Sequence, residues 1–381
     1  MGTVTPTGWT VMVTGVLACV LASFAGWGEA AVLAVLCGLV LVVALLSVMG
    51  SSPHALTIRL PQDRTVAGRT VVGELAARNR RNGRSRTGVI ELPVGAGAAQ
   101  FVVPPLAGKA EWSEVFAVAT RRREVIVVGP ARSVRADALG LLRRTRVWTR
   151  PNLLHVHPRT VRVPFDATGF QADVEGVTTA KLSSSDVSFH ALRDYVPGDD
   201  RRHVHWATSA RTGRLVVRQY EETRRSHHVI LLDTVRSHWS GEDFEVGVSV
   251  AASLALPGLS ASRRVSMATS QGWISTATPV RMLDELTELG RSPEETDPAQ
   301  RLREVLAARP GASVVTVVVG PVTTDVQAAH LATLAGVDVA CGIVRAGSGH
   351  TPRRRRVGSG TLLDCPELED LPRLLNRGVG R

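Results

Sequence analysis

The 381-residue sequence predicts three parts: a hairpin of two transmembrane helices, an all-β sandwich-like module, and a doubly wound α/β domain. Three observations predict them. Two uncharged apolar runs open the chain, short β-branched segments broken by Gly, Pro and Arg-Asn clusters follow, and strands then alternate with amphipathic helices. These shifts set boundaries at residues 1–52 for the hairpin, 53–165 for the β module, 166–224 for a polar connector and 225–381 for the α/β domain.

No charged side chain lies between Trp9 and Trp27 or between Ala30 and Met49, and Glu29 is the only one before His54. Each run approaches the ~20 residues that cross a hydrocarbon core as a helix. A cleaved signal peptide wants a basic leader, which "MGTVTPTG" does not supply. A buried soluble hairpin is the other alternative. Trp9 and Trp27 sit where interfacial anchors belong. Two spans put both termini on one side. The loop at Gly28 and Glu29 has no basic residue, whereas Arg59, Arg64 and Arg69 follow the second span. Positive charge stays inside, so both termini and the soluble bulk are expected on the cytoplasmic face of the cell membrane.

The β module reads from "ALTIRL", "VVGELAAR", "TGVIELPV", "AQFVVP", "SEVFAVA", "REVIVVG" and "RSVRADAL", with no helical stretch between them. It has few histidines and no clustered carboxylates, which suits a spacer or interaction domain. In the last part, "HHVILLDT" is a buried strand ending in Asp233, and His227 and His228 open it as an exposed edge. "EDFEVGVSVAASLAL", "VRMLDELTELG", "DPAQRLREVLAAR" and "DVQAAHLATLAG" read as helices. They alternate with the strands "RRVSMATSQ", "ASVVTVVVG" and "VDVACGIVRAG". Ligands on such Rossmann-like sheets lie beyond the strand C-termini, where Asp233 falls.

The net charge of +11 invites a nucleic-acid partner, but its distribution argues against one. Only Lys109 and Lys181 are lysines, the arginines are dispersed in the manner of a GC-rich genome, and 4% aromatics are too few for base stacking. The compact run Arg353–Arg356 reads as a solvated loop. Cys19, Cys37, Cys341 and Cys365 form neither a disulfide framework nor a zinc spacing. The chain has no P-loop, GxSxG or HExxH motif.

The densest stretch is "RDYVPGDDRRHVHWATSART", Arg193 to Thr212. One reading makes Asp199, Asp200, His203 and His205 metal ligands or acid/base groups of a metal-dependent hydrolase. A strand would put His203 and His205 on one face, whereas a helix would turn them about 200° apart. Asp199 or Asp200 would N-cap such a helix. The favoured reading is architectural. Pro197-Gly198 turns the chain, Arg193, Arg202 and Arg211 pair with the aspartates in a buried bidentate network, and Tyr195 and Trp206 supply apolar area. Exposed members of the set would serve partner docking.

"LRDYVPGDDRRHVHWATSARTGRLVVRQYEE", followed by "VILLDT", resembles the domain of unknown function 58 family, membrane-anchored proteins with a von Willebrand factor A-like domain. The residues that fit are Arg193, Tyr195, Pro197, Gly198, Asp199, Asp200, Arg202, Trp206, Ser209, Ala210 and Arg211, with His205 between them; Arg201 stands where proline is common. The resemblance implies a metal-ion-dependent adhesion site for Mg²⁺. Asp233, Ser237 and Thr296 match its positions, but Val235 and Gly320 replace two oxygen ligands, so the site reads as degenerate and no cofactor is expected. It further implies a non-enzymatic adaptor working with a MoxR-type AAA+ ATPase and other membrane or envelope proteins.

Overall fold

The computed structural model describes residues 2–48, 54–163, 187–197, 199, 204–222, 227–336 and 339–376. The chain divides into two compact units, Met1–His157 and Pro158–Arg381.

The first unit opens with β1 (Gly2–Val4), α1 (Pro6–Ala25) and α2 (Gly28–Val48). Thr5 caps α1 by accepting from the Gly8 N–H, and Gly26 ends it in the left-handed conformation at φ 67°. Both helices are long and apolar enough to cross a membrane, with mean hydropathies of 1.8 and 3.0. Large side chains such as Phe24, Val32 and Val35 are exposed, which a helix of a soluble core would bury.

The ten strands that follow are β2 (His54–Arg59), β3 (Arg64–Val66), β4 (Thr70–Asn79), β5 (Gly88–Val94), β6 (Gly97–Val103), β7 (Glu111–Ala119), β8 (Glu124–Val128), β9 (Arg132–Ala136), β10 (Leu142–Val147) and β11 (Asn152–His157). β2, β4 and β7 make one antiparallel sheet. The other runs β1-β10-β9-β5-β8-β11-β3, with β6 also on β5. Alternate residues of both sheets, among them Leu75, Phe116, Ile90, Leu92 and Leu154, close one apolar core. The β-rich body expected after the apolar hairpin is therefore present. An unforeseen feature is β1, which brings the chain start into this sheet through the register Gly2↔Arg144.

In the second unit β12 (Val187–Asp194) and β13 (Val216–Glu222) form a two-stranded ladder, with the short helix α3 (Trp206–Thr212) between them. Then come β14 (His227–Leu232), α4 (Gly241–Ser260), β15 (Arg264–Thr269), β16 (Trp273–Ile274), α5 (Pro279–Glu288), α6 (Pro298–Ala308), β17 (Val314–Val319), α7 (Asp325–Leu334), β18 (Ala340–Ala346), β19 (Arg353–Val357), β20 (Gly360–Cys365) and α8 (Leu371–Asn376).

Their sheet runs β16-β15-β14-β17-β18-β20-β19, parallel except for the two edge strands β16 and β19. Ile230 and Leu232 face α4, α5 and α8, while Val229 and Leu231 face α6 and α7. Burial on both faces explains the valine-rich run of β17, buried at every position and interrupted only by Thr316, which His228 partners. Chain order reverses beside β14, which places Asp233 at the switch point of the sheet.

Two sequence expectations change here. His227 and His228 begin the central strand rather than an exposed edge, with Nε2 of His227 2.9 Å from Ser266 Oγ and Nε2 of His228 2.8 Å from Thr316 Oγ1. Arg353–Arg356 is edge strand β19, not a loop. Four arginines along an edge discourage pairing with a second sheet.

Candidate functional site

The stretch 193–212 is built around a tight turn and a helix start. Arg193 grips Asp199 with both guanidinium arms, Nη1 to Oδ2 at 2.8 Å and Nη2 to Oδ1 at 2.6 Å. The Val196 N–H donates to the same carboxylate at 2.9 Å. Arg193 first, and then this N–H, hold the Asp199 carboxyl below its ordinary range. The expected network is bidentate and buried; this pair is bidentate but not buried, since Arg193 is 43% exposed. Solvent screens it, and its value is geometric.

His205, not Asp199 or Asp200, caps α3, its Nδ1 accepting from the Thr208 N–H at 3.2 Å. The same nitrogen lies 2.8 Å from Thr208 Oγ1, so it is engaged in the helix start. Ser209 is buried and ties α3 to β13 by accepting the Val216 N–H at 2.9 Å. Tyr195 is half-buried, and Pro197 and Arg211 are exposed. Trp206 corrects the expectation most sharply. It is 66% exposed and adds no core area; beside it in the sequence motif, Val196 and Leu215 are exposed as well. Gly198, Asp200, Arg202 and His203 lie outside the described residues.

The second cluster lies at the carboxyl end of β14. Asp233 is buried, its side chain 1% exposed. Its Oδ1 accepts from the Val235 N–H at 3.0 Å and the Ser270 hydroxyl at 3.3 Å, and Oδ2 lies 2.6 Å from His238 Nδ1. The hydrogen bond to Asp233 raises the His238 pKa, and the charges of Asp233, Glu295 and Asp297 add to it. Protonation of His238 would place beside Asp233 the positive charge that a bound cation would.

The magnesium site implied by the resemblance does not fit these residues. Both Asp233 oxygens are engaged. Ser237 turns away to donate to Glu295 Oε2 at 3.0 Å, and Thr296 is half-buried on the loop before α6. At Gly320 a Cβ would stand 1.9 Å from the His238 carbonyl oxygen, so the backbone of the 235–239 loop fills the place of a ligand side chain. Among the described residues no three His, Cys, Asp or Glu side chains gather as a metal-binding group. Sequence reasoning passed over His238. A lone histidine shortly after a strand-end aspartate was the available signal.

Gly320→Asp, which would restore the missing carboxylate, is therefore expected to destabilise the second unit by about 3 kcal/mol or more, through backbone overlap. It should confer no magnesium affinity in a calorimetric titration. Tight binding without loss of stability would show that the loop yields freely.

Residues 191–346 match the family described as protein of unknown function DUF58. The matched segment runs from β12 to the end of β18 and so contains both clusters. A 120-residue stretch is 32% identical to the uncharacterized protein YeaD of Bacillus subtilis (strain 168), covering 31% of this chain and 29% of that protein's length. Among solved structures, the CARDB domain of PF1109 from Pyrococcus furiosus, in complex with di-metal ions, aligns with 28% of this chain and 96% of its own at 11% identity and a TM-score of 0.20. A GH2 β-galacturonidase from Eisenbergiella tayi, bound to galacturonate, aligns with 77% of this chain and 47% of its own, at 11% identity and a TM-score of 0.20. Both likenesses are too slight to speak for fold or function.

Proposed function

We propose that this chain is a membrane-anchored, non-catalytic adaptor. Its second unit is a von Willebrand factor A-like domain that docks a MoxR-type AAA+ ATPase on the cytoplasmic face, in cell-envelope or protein-complex assembly. The reading rests chiefly on Trp206. A large apolar ring held outward on a capped helix, next to a turn clamped by Arg193 and Asp199, has the form of an interface anchor. The doubly wound sheet with Asp233 at the end of its first strand supports the A-like assignment. Internal satisfaction of Asp233 by His238 supports a role without metal chemistry. Arginines on β10, the strand paired with the chain start, add to the basic flank that favours a cytoplasmic location.

The test is capture of the ATPase from solubilised membranes with nucleotide state preserved. Trp206→Ala is expected to weaken capture about thirtyfold, as loss of a ~2 kcal/mol anchor does, without changing the fold. Undiminished capture, or a C-terminal tag reached only from outside the cell, would overturn the proposal.

A further inference from the structure

The base of the apolar hairpin meets one particular hairpin of the β module. The Thr5 N–H donates to the Leu141 carbonyl at 3.0 Å, and its hydroxyl donates to the Gly140 carbonyl at 2.6 Å. A Cβ on Gly8 would lie 2.2 Å from the Leu141 oxygen, so the first turn of α1 rests directly on the β9–β10 turn. α2 packs against β9 and β10 too, and Ala44 and Val48 near its C-terminal end are buried. The start of α1 and the end of α2 thus converge on β9 and β10.

That hairpin carries a costly arrangement. Arg144 stands directly across the ladder from Arg135, and like charges in facing positions destabilise a sheet. Burial, and then the charges of Arg86, Arg144 and Arg81, hold the Arg135 guanidinium below its ordinary value. Arg86 and Arg135 line a small cleft with Gly88 and Ser133. Among the described residues no carboxylate pairs with Arg86, Arg135 or Arg144. Asp137, in the connecting turn, spends its oxygens on the Leu139 and Leu142 N–H groups, and Glu91 is held by Arg143 at 2.8 Å. Nothing in the described protein offsets the repulsion, whereas a phosphate would, since guanidinium forks match its oxygens.

We propose that Arg86, Arg135 and Arg144 form a binding site for the phosphate of an anionic phospholipid headgroup, fastening the β module to the membrane surface where α1 enters it. This rests on the reading of α1 and α2 as membrane spans. Charge complementarity with an anionic leaflet and position at the helix bases both favour a lipid as the source of the phosphate.

The test uses the full chain in nanodiscs of phosphatidylcholine alone or mixed with phosphatidylglycerol, read by hydrogen exchange. Amides of β9 and β10 are expected to exchange about tenfold more slowly with phosphatidylglycerol, given the attraction of each arginine to an anionic surface. The double variant Arg135→Gln, Arg144→Gln should abolish that difference. In phosphatidylcholine alone it should exchange no faster than the parent, because repulsion has been relieved. Equal exchange in both lipids, with α1 and α2 still protected, would overturn the lipid site and leave the anchor standing. Failure of α1 and α2 to gain protection in any disc would overturn the anchor and this proposal with it. Slowing by inorganic phosphate in phosphatidylcholine discs to the same degree would assign the site to the free ion instead.

Discussion

Asp364→Ala is expected to destabilise the second unit by about 3–5 kcal/mol, the cost of stranding a buried guanidinium. Arg345 on β18 and Asp364 on β20 are 4% and 3% exposed, and they meet through Nε and Nη2 to Oδ1 at 2.7 and 2.6 Å. Arg345 also donates through Nη1 to the Thr323 carbonyl at 2.8 Å and to Asp325 at 3.1 Å. From the edge strand β19, Arg355 bonds both Asp325 and Asp364. Removing Asp364 leaves Arg345 dry, with one carbonyl and the half-exposed Asp325 as its remaining partners. The loss should show as faster hydrogen exchange across β18 and β20 in the full chain, with β4 and β7 unaffected. Asp325→Ala, at 51% exposure, should cost no more than ~1 kcal/mol. Arg345→Met combined with Asp364→Leu should recover most of the deficit, since an apolar pair of similar volume needs no counter-charge. A mild Asp364→Ala would mean that water reaches Arg345.

The same network shows where sequence reasoning reaches its end. Helices α4, α6 and α7 follow from apolar spacing and from the caps Ser240, Asp297 and Thr324, because those causes are local. The valine-rich run of β17 is legible for the same reason. Strand β19 is not. Four consecutive arginines suggest solvent, whereas pairing with β20, the bonds of Arg355 to Asp325 and Asp364 and that of Arg354 to the Leu375 carbonyl make an ordered edge of them. The clamp between Arg193 and Asp199 is legible from a short spacing across a Pro-Gly turn, but its exposure depends on what fails to cover it. Residue type misleads at Trp206, since tryptophan is usually well buried. Gly320 is the subtler case. In sequence it reads as a ligand lost, whereas the fold uses its missing side chain to let the His238 backbone pass.

Acid should weaken the second unit well before its carboxylates titrate. His228 is half-buried at the start of β14 beside His227, and burial of its ring, then the neighbouring ring, lower its pKa from 6.5 to about 4. Burial and the charges of Arg264 and Arg309 lower His227 as well. A ring with a depressed pKa is neutral in both states above pH ~6.5 and contributes no pH dependence there. Between pH ~6.5 and ~4 the unfolded chain takes up a proton that the folded ring declines, so stability falls with pH. For His228 the loss reaches about 3 kcal/mol by pH ~4 and then levels off. His238 works in the opposite sense. Its raised pKa gives stability that is fully present below pH ~6.5 and lost as pH rises through the folded value, and its partial exposure keeps that contribution smaller. His228→Gln, which keeps a donor for the Thr316 hydroxyl but cannot ionise, is expected to flatten most of the decline between pH 7 and 4, read by hydrogen exchange at β14 and β17. A parent and a variant that weaken in parallel over that range would show that the ring takes up its proton within the folded sheet.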